Sequence, residues 1–175
     1  MSNFFCKLVD IQLIEKWAYT LDWLFDDNKF SKVIGWNTGH VSAFTKAIKR
    51  LPHFSINNYY YVKRDTIIFP KSGDRFHTPT FYMKKGDSEG KDLVRHIRNG
   101  IAHGRTNFYT VKSELYIEIC DFGKEGNGYV NKQTAFLAMP MSYIQDICKL
   151  YMDREKAIKN NKMPMQRKKD KANGM

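Results

Sequence analysis

Two stretches in the first third of the chain repeat their apolar residues at steps of three and four positions. This spacing puts the apolar side chains on one face of a helix, because an α-helix turns once in about 3.6 residues. The patterns predict one helix at about residues 4–25 and another at residues 38–51, which ends before Pro52. The predicted core positions are Ile14, Trp17, Ala18, Leu21, Leu24 and Phe25 in the first helix, and Val41, Phe44, Ala47, Ile48 and Leu51 in the second.

A third helix is predicted near the middle of the chain, and residues at both of its ends mark its limits. Asp87 or Ser88 can cap its N-terminus, and Gly104 can end it in the left-handed conformation. Its apolar face consists of Leu93, Val94, Ile97 and Ile101. The other face carries polar side chains at helical spacing, namely Asp92, His96, Asn99 and His103.

Strand patterns follow this helix. Residues 108–112 and 115–122 are strand-like runs around Ser113 and Glu114, which predicts a β-hairpin. A further short strand is expected at residues 134–137, and a last amphipathic helix starts near Pro140. The whole pattern predicts a mainly α protein with a β-hairpin between the third and the last helix.

The segment at residues 53–85 is harder to interpret. It holds two β-prone runs, at residues 59–64 and 66–69. Aromatic residues beside Lys63 and Arg64 could stack against nucleic-acid bases. A packed structural element is the favoured interpretation, because tyrosine-rich strands are common in protein cores.

The formal net charge of +11 adds a functional indication. Seven basic residues and one acidic residue fall within residues 156–175. A basic chain favours a polyanionic partner, usually RNA or DNA, although a basic tail can also serve only as a solvated, solubilising segment. We predict one domain at residues 1–160 and a basic, disordered tail at residues 161–175.

The cysteines, the histidines and the lengths of the apolar runs exclude several classes of protein. Cys6, Cys120 and Cys148 are too widely spaced for paired metal ligands and too few for a disulfide framework, which favours a reducing compartment. Lys7 and Asp10 interrupt any signal-peptide core, and no apolar run approaches the ~18 residues of a membrane span. A cytoplasmic protein with no membrane partner is therefore expected. The histidines lack the spacing of zinc ligands, so no metal site is predicted. The sequence also contains no phosphate-binding glycine loop.

The most specific chemistry lies at the end of the third predicted helix, in the segment Arg98-Asn99-Gly100-Ile101-Ala102-His103. This segment resembles the signature of the HEPN superfamily, which has an arginine, a polar residue that is often asparagine, three further residues and a histidine at a helix end. The order of motif helix, hairpin and last helix resembles the plasmid-borne HEPN subfamily. The motif covers six residues, and the looser resemblance covers residues 4–158. The implied fold is mainly α, an up-and-down helical bundle (HEPN-like) with a β-hairpin inserted between the motif helix and the last helix.

The resemblance implies a metal-independent endoribonuclease without a cofactor, acting as a toxin or a defence effector. In that role His103 would take the proton of a ribose 2′-OH or donate one to the leaving oxygen, since imidazole titrates near neutral pH. Arg98 would stabilise the phosphate, and Asn99 would orient the phosphate or His103. Further RNA contacts are predicted at Arg95, His96 and Arg105.

Partner proteins are also implied. An unbroken helix turns Arg98 and His103 roughly 140° apart, so a single motif is a poor site by itself. The two-fold dimer of the family brings two motifs into one cleft, and a homodimer is therefore predicted. A nucleotidyltransferase antitoxin is a further partner that the resemblance implies.

Other interpretations stay open at this point. Asn99 and His103 can be plain capping residues at a helix C-terminus. A non-catalytic HEPN module would bind RNA, a nucleotide or a protein partner with the same residues. A membrane-surface protein could use the basic tail, although the amphipathic part of the last helix ends before the charge cluster. A cysteine–histidine nucleophile is favoured by nothing in the sequence.

Overall fold

Helices precede, interrupt and follow the strands along this chain. The computed structural model describes residues 11–26, 32–52, 54–60, 68–70, 78–83, 86–125 and 130–172. The helices in these ranges are α1 (Ile11–Phe25), a short 3-10 helix (Lys32–Gly35), α2 (Thr38–Ile48), α3 (Glu89–Ala102) and α4 (Met141–Ala172). The strands are β1 (Asn57–Tyr60), β2 (Thr80–Met83), β3 (Thr106–Val111), β4 (Glu114–Glu125) and β5 (Val130–Pro140). None of these helices combines the length and the apolar character needed to cross a membrane.

The strands form one mixed sheet in the order β1-β2-β5-β4-β3. β1 runs parallel to β2, and the other neighbouring strands are antiparallel. The pairing of β4 with β5 contains a register shift between Asp121 and Phe122. The predicted mainly α, up-and-down helical bundle is therefore wrong, because the chain builds a five-stranded sheet where only an inserted hairpin was expected.

The error comes from contacts between residues that are distant in the sequence. The predicted hairpin is present, as β3 and β4, and the short strand expected at residues 134–137 is part of the longer β5. β2 extends the sheet by pairing Phe81 with Ala135, and no local periodicity reports such a contact. The β-prone run at residues 59–64 overlaps the end of β1, while residues 61–67 lie outside the described residues.

The helices share a hydrophobic core with one face of the sheet. Alternate residues of β4 and β5 enter this core, namely Leu115, Ile117, Ile119, Ala135, Leu137 and Met139. The predicted helical core is confirmed at Trp17, Leu24, Val41, Phe44, Ile48, Leu93, Val94, Ile97 and Ile101. Ala18 and Phe25 are exposed instead, and Leu21, Ala47 and Leu51 are only partly buried. Burying each large apolar side chain stabilises the fold by roughly 1.5–3 kcal/mol, so this core holds α3 against the sheet.

The structure does not test two of the predicted boundaries, the start of the first helix and the start of the basic tail. The first helix is described from Ile11, so its expected start at residue 4 lies outside the described residues. α4 continues past residue 160 to Ala172, and the predicted division into a domain and a basic tail stays a prediction.

Gly100 allows α3 to lie directly on β4. A Cβ atom at this position would stand 2.9 Å from the carbonyl oxygen of Cys120 and closer still to the Ile119 side chain. Real Cβ atoms essentially never approach backbone so closely, so the helix would have to move away from the strand to accept a side chain.

Both predicted ends of α3 are confirmed. The side chain of Ser88 caps the N-terminus by accepting a hydrogen bond from a first-turn amide. Gly104 ends the helix with a φ of +63°. The Arg105 amide donates to the Gly100 carbonyl at 2.8 Å and the Gly104 amide donates to the Ile101 carbonyl at 2.9 Å, which is the Schellman arrangement. The chain therefore turns at once into β3, which pairs with the strand that supports α3.

Replacing Gly100 by alanine is expected to lower the free energy of unfolding by about 1–3 kcal/mol, because the added methyl group overpacks the contact between α3 and β4. Urea unfolding followed by circular dichroism measures this change. Gly39→Ala in the first turn of α2 is the matched control, since a Cβ atom there would meet only Asn37 Oδ1, at 3.5 Å. The control should be neutral or stabilising by up to about 1 kcal/mol. Equal losses in the two variants would contradict the close approach.

Candidate active site at the end of α3

The candidate site lies where α3 ends and the chain turns towards β3. His103 is the C-cap residue, with φ −97° and ψ 10°, and its side chain is exposed. Its amide donates to the carbonyl of Asn99 at 3.1 Å, which keeps it attached to the last helical turn. An exposed imidazole at a helix C-terminus is favoured electrostatically when it carries a proton.

His96 has a different environment, since its side chain is buried. Its Nδ1 lies 2.7 Å from Asp121 Oδ2, and its Nε2 lies 2.9 Å from the carbonyl oxygen of Tyr82. The ring also packs against Phe81, with the ring centroids 5.4 Å apart. The sequence predicted an RNA contact at His96; the structure instead gives both ring nitrogens partners inside the protein.

Asp121 is the residue at this site that the sequence analysis missed. It is 3 % exposed and makes hydrogen bonds with three residues. His96 and the Nδ2 of Asn99, at 3.3 Å, approach its Oδ2, and the Phe122 amide donates to its Oδ1 at 2.9 Å. The sequence did contain a signal for its burial, because Asp121 continues the alternation of buried residues along β4 to which Ile119 belongs. We call Asp121, His96 and Asn99 the buried polar cluster.

His96 and Asp121 depend on each other for their hydrogen bonds inside the protein. Both ring nitrogens of His96 face oxygen atoms, one of the Asp121 carboxyl group and one of the Tyr82 carbonyl. Removing one partner of the His96–Asp121 pair would leave the other buried with an unsatisfied polar group.

Three arginines surround the end of α3, and they differ in their partners. Arg98 is half-buried, and its Nε is buried without a hydrogen-bond partner in the described part of the chain. Arg95 forms ion pairs with Asp92 at 2.5 Å and with Asp87 at 3.7 Å. Arg105 lies over the ring of Phe122, with its guanidinium carbon 4.8 Å from the ring centroid.

The arrangement brings some of the predicted residues together and separates others. Asn99 and His96 meet through Asp121. α3 stays helical to Ala102, so Arg98 and His103 project from different flanks of it, as the spacing predicted. A phosphate held by Arg98 would not lie against His103 of the same chain unless one of the two side chains reached around the helix.

Thiol and metal chemistry receive no support at this site. Burial, and next the charge of Glu118, raise the pKa of the Cys120 thiol to about 11, while Arg105 opposes this shift. Cys120 is therefore a neutral thiol at neutral pH, and a poor nucleophile. In the described residues no group of three or more histidine, cysteine, aspartate or glutamate side chains is arranged to hold a metal ion.

Comparison of the chain with protein-family models, with curated proteins and with solved structures found no match.

A double-mutant cycle tests the buried polar cluster. Asp121→Leu and His96→Phe are each expected to lower the free energy of unfolding by about 3–5 kcal/mol, because each leaves a buried polar partner unsatisfied. The double variant should be more stable than the sum of the two losses predicts, by more than about 1 kcal/mol. The exposed pair Lys149 and Asp146 is the control, and its coupling should stay below about 1 kcal/mol. Additive losses in the buried pair would show that the contact does not carry this energy.

Proposed function

We propose that the protein is a metal-independent endoribonuclease that uses the end of α3 as its active site. The observation that carries this proposal is the exposed imidazole of His103, fixed at the helix end within a motif that also contains Arg98. RNA supplies its own nucleophile in this chemistry, because the ribose 2′-OH lies next to the phosphate that is cleaved. The motif therefore has to provide only proton transfer and charge stabilisation.

The reaction has two proton transfers and one centre of negative charge. The 2′-OH loses its proton to an imidazole as its oxygen attacks phosphorus, and the leaving 5′-oxygen takes up a proton as its bond to phosphorus breaks. The products are a 2′,3′-cyclic phosphate and a 5′-hydroxyl end. His103 performs one of the transfers, and Arg98 stabilises the phosphoryl oxygens because its planar guanidinium can donate two hydrogen bonds at once.

The buried polar cluster supports the proposal as a positioning device. Asn99 donates to Asp121, so the last turn of α3 is attached to β4 one turn before His103. His96 attaches the preceding turn to the same carboxylate and to β2. A catalytic imidazole on a helix end that is held in this way loses little orientational freedom when RNA binds.

The HEPN resemblance supports the proposal at the six motif residues, whereas the five-stranded sheet differs from the fold that it implied. As an RNA-cleaving toxin or defence effector the protein would act in the cytoplasm on RNA. A nucleotidyltransferase antitoxin is the partner we propose from the same resemblance.

A second candidate function is a non-catalytic module that binds RNA, a nucleotide or a protein partner. One observation favours it: Asn99, His96 and Arg95 all have partners within the protein. In this case His103 and Arg98 would contact phosphate without chemistry.

Cleavage of a mixed-sequence RNA in EDTA tests the catalytic proposal. The wild-type protein should cleave and leave cyclic phosphate ends, and His103→Ala should reduce the rate by about 10²–10⁴-fold. Arg98→Ala should have a loss of similar size, because removing one charge-stabilising donor costs about 10²–10³-fold. His40→Ala is the matched control, since His40 lies on α2 outside the motif, and its rate should be that of the wild type.

Equal cleavage by all variants would reveal a contaminating nuclease or a misplaced site. Binding of RNA by the wild type without cleavage would favour the non-catalytic module.

The separation of Arg98 from His103 generates a prediction about assembly. Two copies related by a two-fold axis can bring Arg98 of one chain near His103 of the other, and they also supply two imidazoles for the two proton transfers. We therefore expect a homodimer at micromolar concentration in sedimentation velocity. A monomer that cleaves RNA would contradict this assembly.

A further inference from the structure

A second basic surface lies at the opposite end of α3 from His103. α2, the residues after the short 3-10 helix and the start of α3 enclose a groove of about 440 Å³. Lys46 of α2, Lys49 at the C-cap of α2 and Lys91 of α3 line it, together with the apolar side chains of Trp36 and Val41. We call this groove the lysine groove.

Local contacts hold the walls of the lysine groove in place. Gly90 donates its amide to Thr45 Oγ1 at 3.2 Å, and a Cβ atom at Gly90 would stand 2.6 Å from the same oxygen. α2 and α3 are thus in direct contact beneath the groove. Ser88, which caps α3, also bonds to Thr45 across the two helices at 3.3 Å. The groove is therefore preformed in the fold.

The charges in the lysine groove favour an anion. Three lysines line it against one carboxylate, that of Asp87. Lys91 pairs with Asp87 at 3.1 Å and Lys49 pairs with Glu89, which directs both ammonium groups towards the start of α3. Lys46 is exposed and has no ion pair among the described residues. An anion entering the groove would meet an excess of positive charge beside an apolar wall.

The basic character continues from the lysine groove along α3. Lys91, Arg95 and Arg98 stand at i, i+4 and i+7, so they share one flank of the helix. The distance along the helix axis from Lys91 to Arg98 is about 10 Å, at 1.5 Å a residue. A basic flank of this length can lie along neighbouring phosphates of one strand.

We propose that the lysine groove binds the part of a single-stranded RNA that flanks the cleaved phosphate. The inference rests on the proposed ribonuclease function and names where its substrate lies beyond the cleaved bond. Phosphates contact Lys46 and Lys91, and an unstacked base packs on Trp36, which is partly exposed and is itself stacked on Tyr151 with ring centroids 5.1 Å apart. Duplex RNA has no free base faces to offer this wall, so a single strand is preferred.

The test compares RNA binding by the full chain and by Lys46→Ala/Lys91→Ala across a range of NaCl concentrations. A fluorescent, 2′-O-methylated single strand is the probe, because it has no 2′-OH nucleophile and stays intact. Loss of two phosphate contacts should reduce the slope of log K against log salt by about 1.4, since each contact on a single strand contributes about 0.7. With cleavable RNA, KM should rise while kcat at saturation stays at the wild-type value.

Two further variants serve as a charge-matched control and as a single-residue test of the groove. Lys16→Ala/Lys149→Ala removes the same charge from α1 and α4 outside the groove, and its salt slope should stay that of the wild type. Lys46→Ala alone changes an exposed residue without an ion pair among the described residues, so it should fold normally and reduce the slope by about 0.7.

The outcomes separate this inference from the proposed function. Cleavage by the wild type with equal slopes in the groove and control variants would overturn the lysine groove and keep the ribonuclease. Reduced slopes in the groove variants without any cleavage would support the groove and remove the ribonuclease. A wild-type chain that neither binds the probe nor cleaves RNA would overturn both.

Discussion

The close packing of α3 on β4 is the constraint on which the candidate site depends. Gly100 makes it possible, because any larger residue would meet the backbone of Cys120. At this short separation Asp121 on the strand can reach both His96 and Asn99 on the helix. The Schellman turn at Gly104 then sends the chain back along the same strand, so that β3 closes the structure around the helix end. The position of His103 is thus set by the packing of α3 on β4, by the contacts of Asp121 and by the turn into β3.

Local sequence information predicted the parts of the fold that local forces determine. The apolar stripe of α3, its Ser88 cap and its Gly104 end follow from helical periodicity and backbone conformation, and all three are confirmed. The hairpin and a short part of β5 were predicted as well, but their joining with β1 and β2 into one sheet could not be predicted in the same way. β5 carries an unbroken apolar run at residues 135–139, which has neither strand alternation nor helical spacing, and its pairing with β2 bridges more than fifty residues of sequence.

The candidate site also combines features that local sequence determines with features that depend on distant contacts. The separation of Arg98 from His103 follows from helix geometry, and the sequence predicted it. The burial of His96 does not, because a histidine on the polar flank of a helix is expected to face solvent. It is buried because Asp121, twenty-five residues later, provides a hydrogen-bond partner that no sequence motif indicates. Polar burial depends on such a distant partner, so it can be recognised only after the strand and helix are paired.

The two flanks of α3 make different contacts, and the proposed cleavage of RNA would use this difference. One flank commits its polar side chains to Asp121, where they hold the helix to the sheet and make few contacts with solvent. The other flank keeps Lys91, Arg95 and Arg98 near the surface, with Asp87 bridging two of them so that their charges do not repel one another freely. In the proposed complex, a strand of RNA on this second flank would pass Arg98 but would reach the His103 of its own chain only after turning around the helix. If the second imidazole comes from another copy, then substrate binding and dimer formation contribute to the same geometry, and each should strengthen the other.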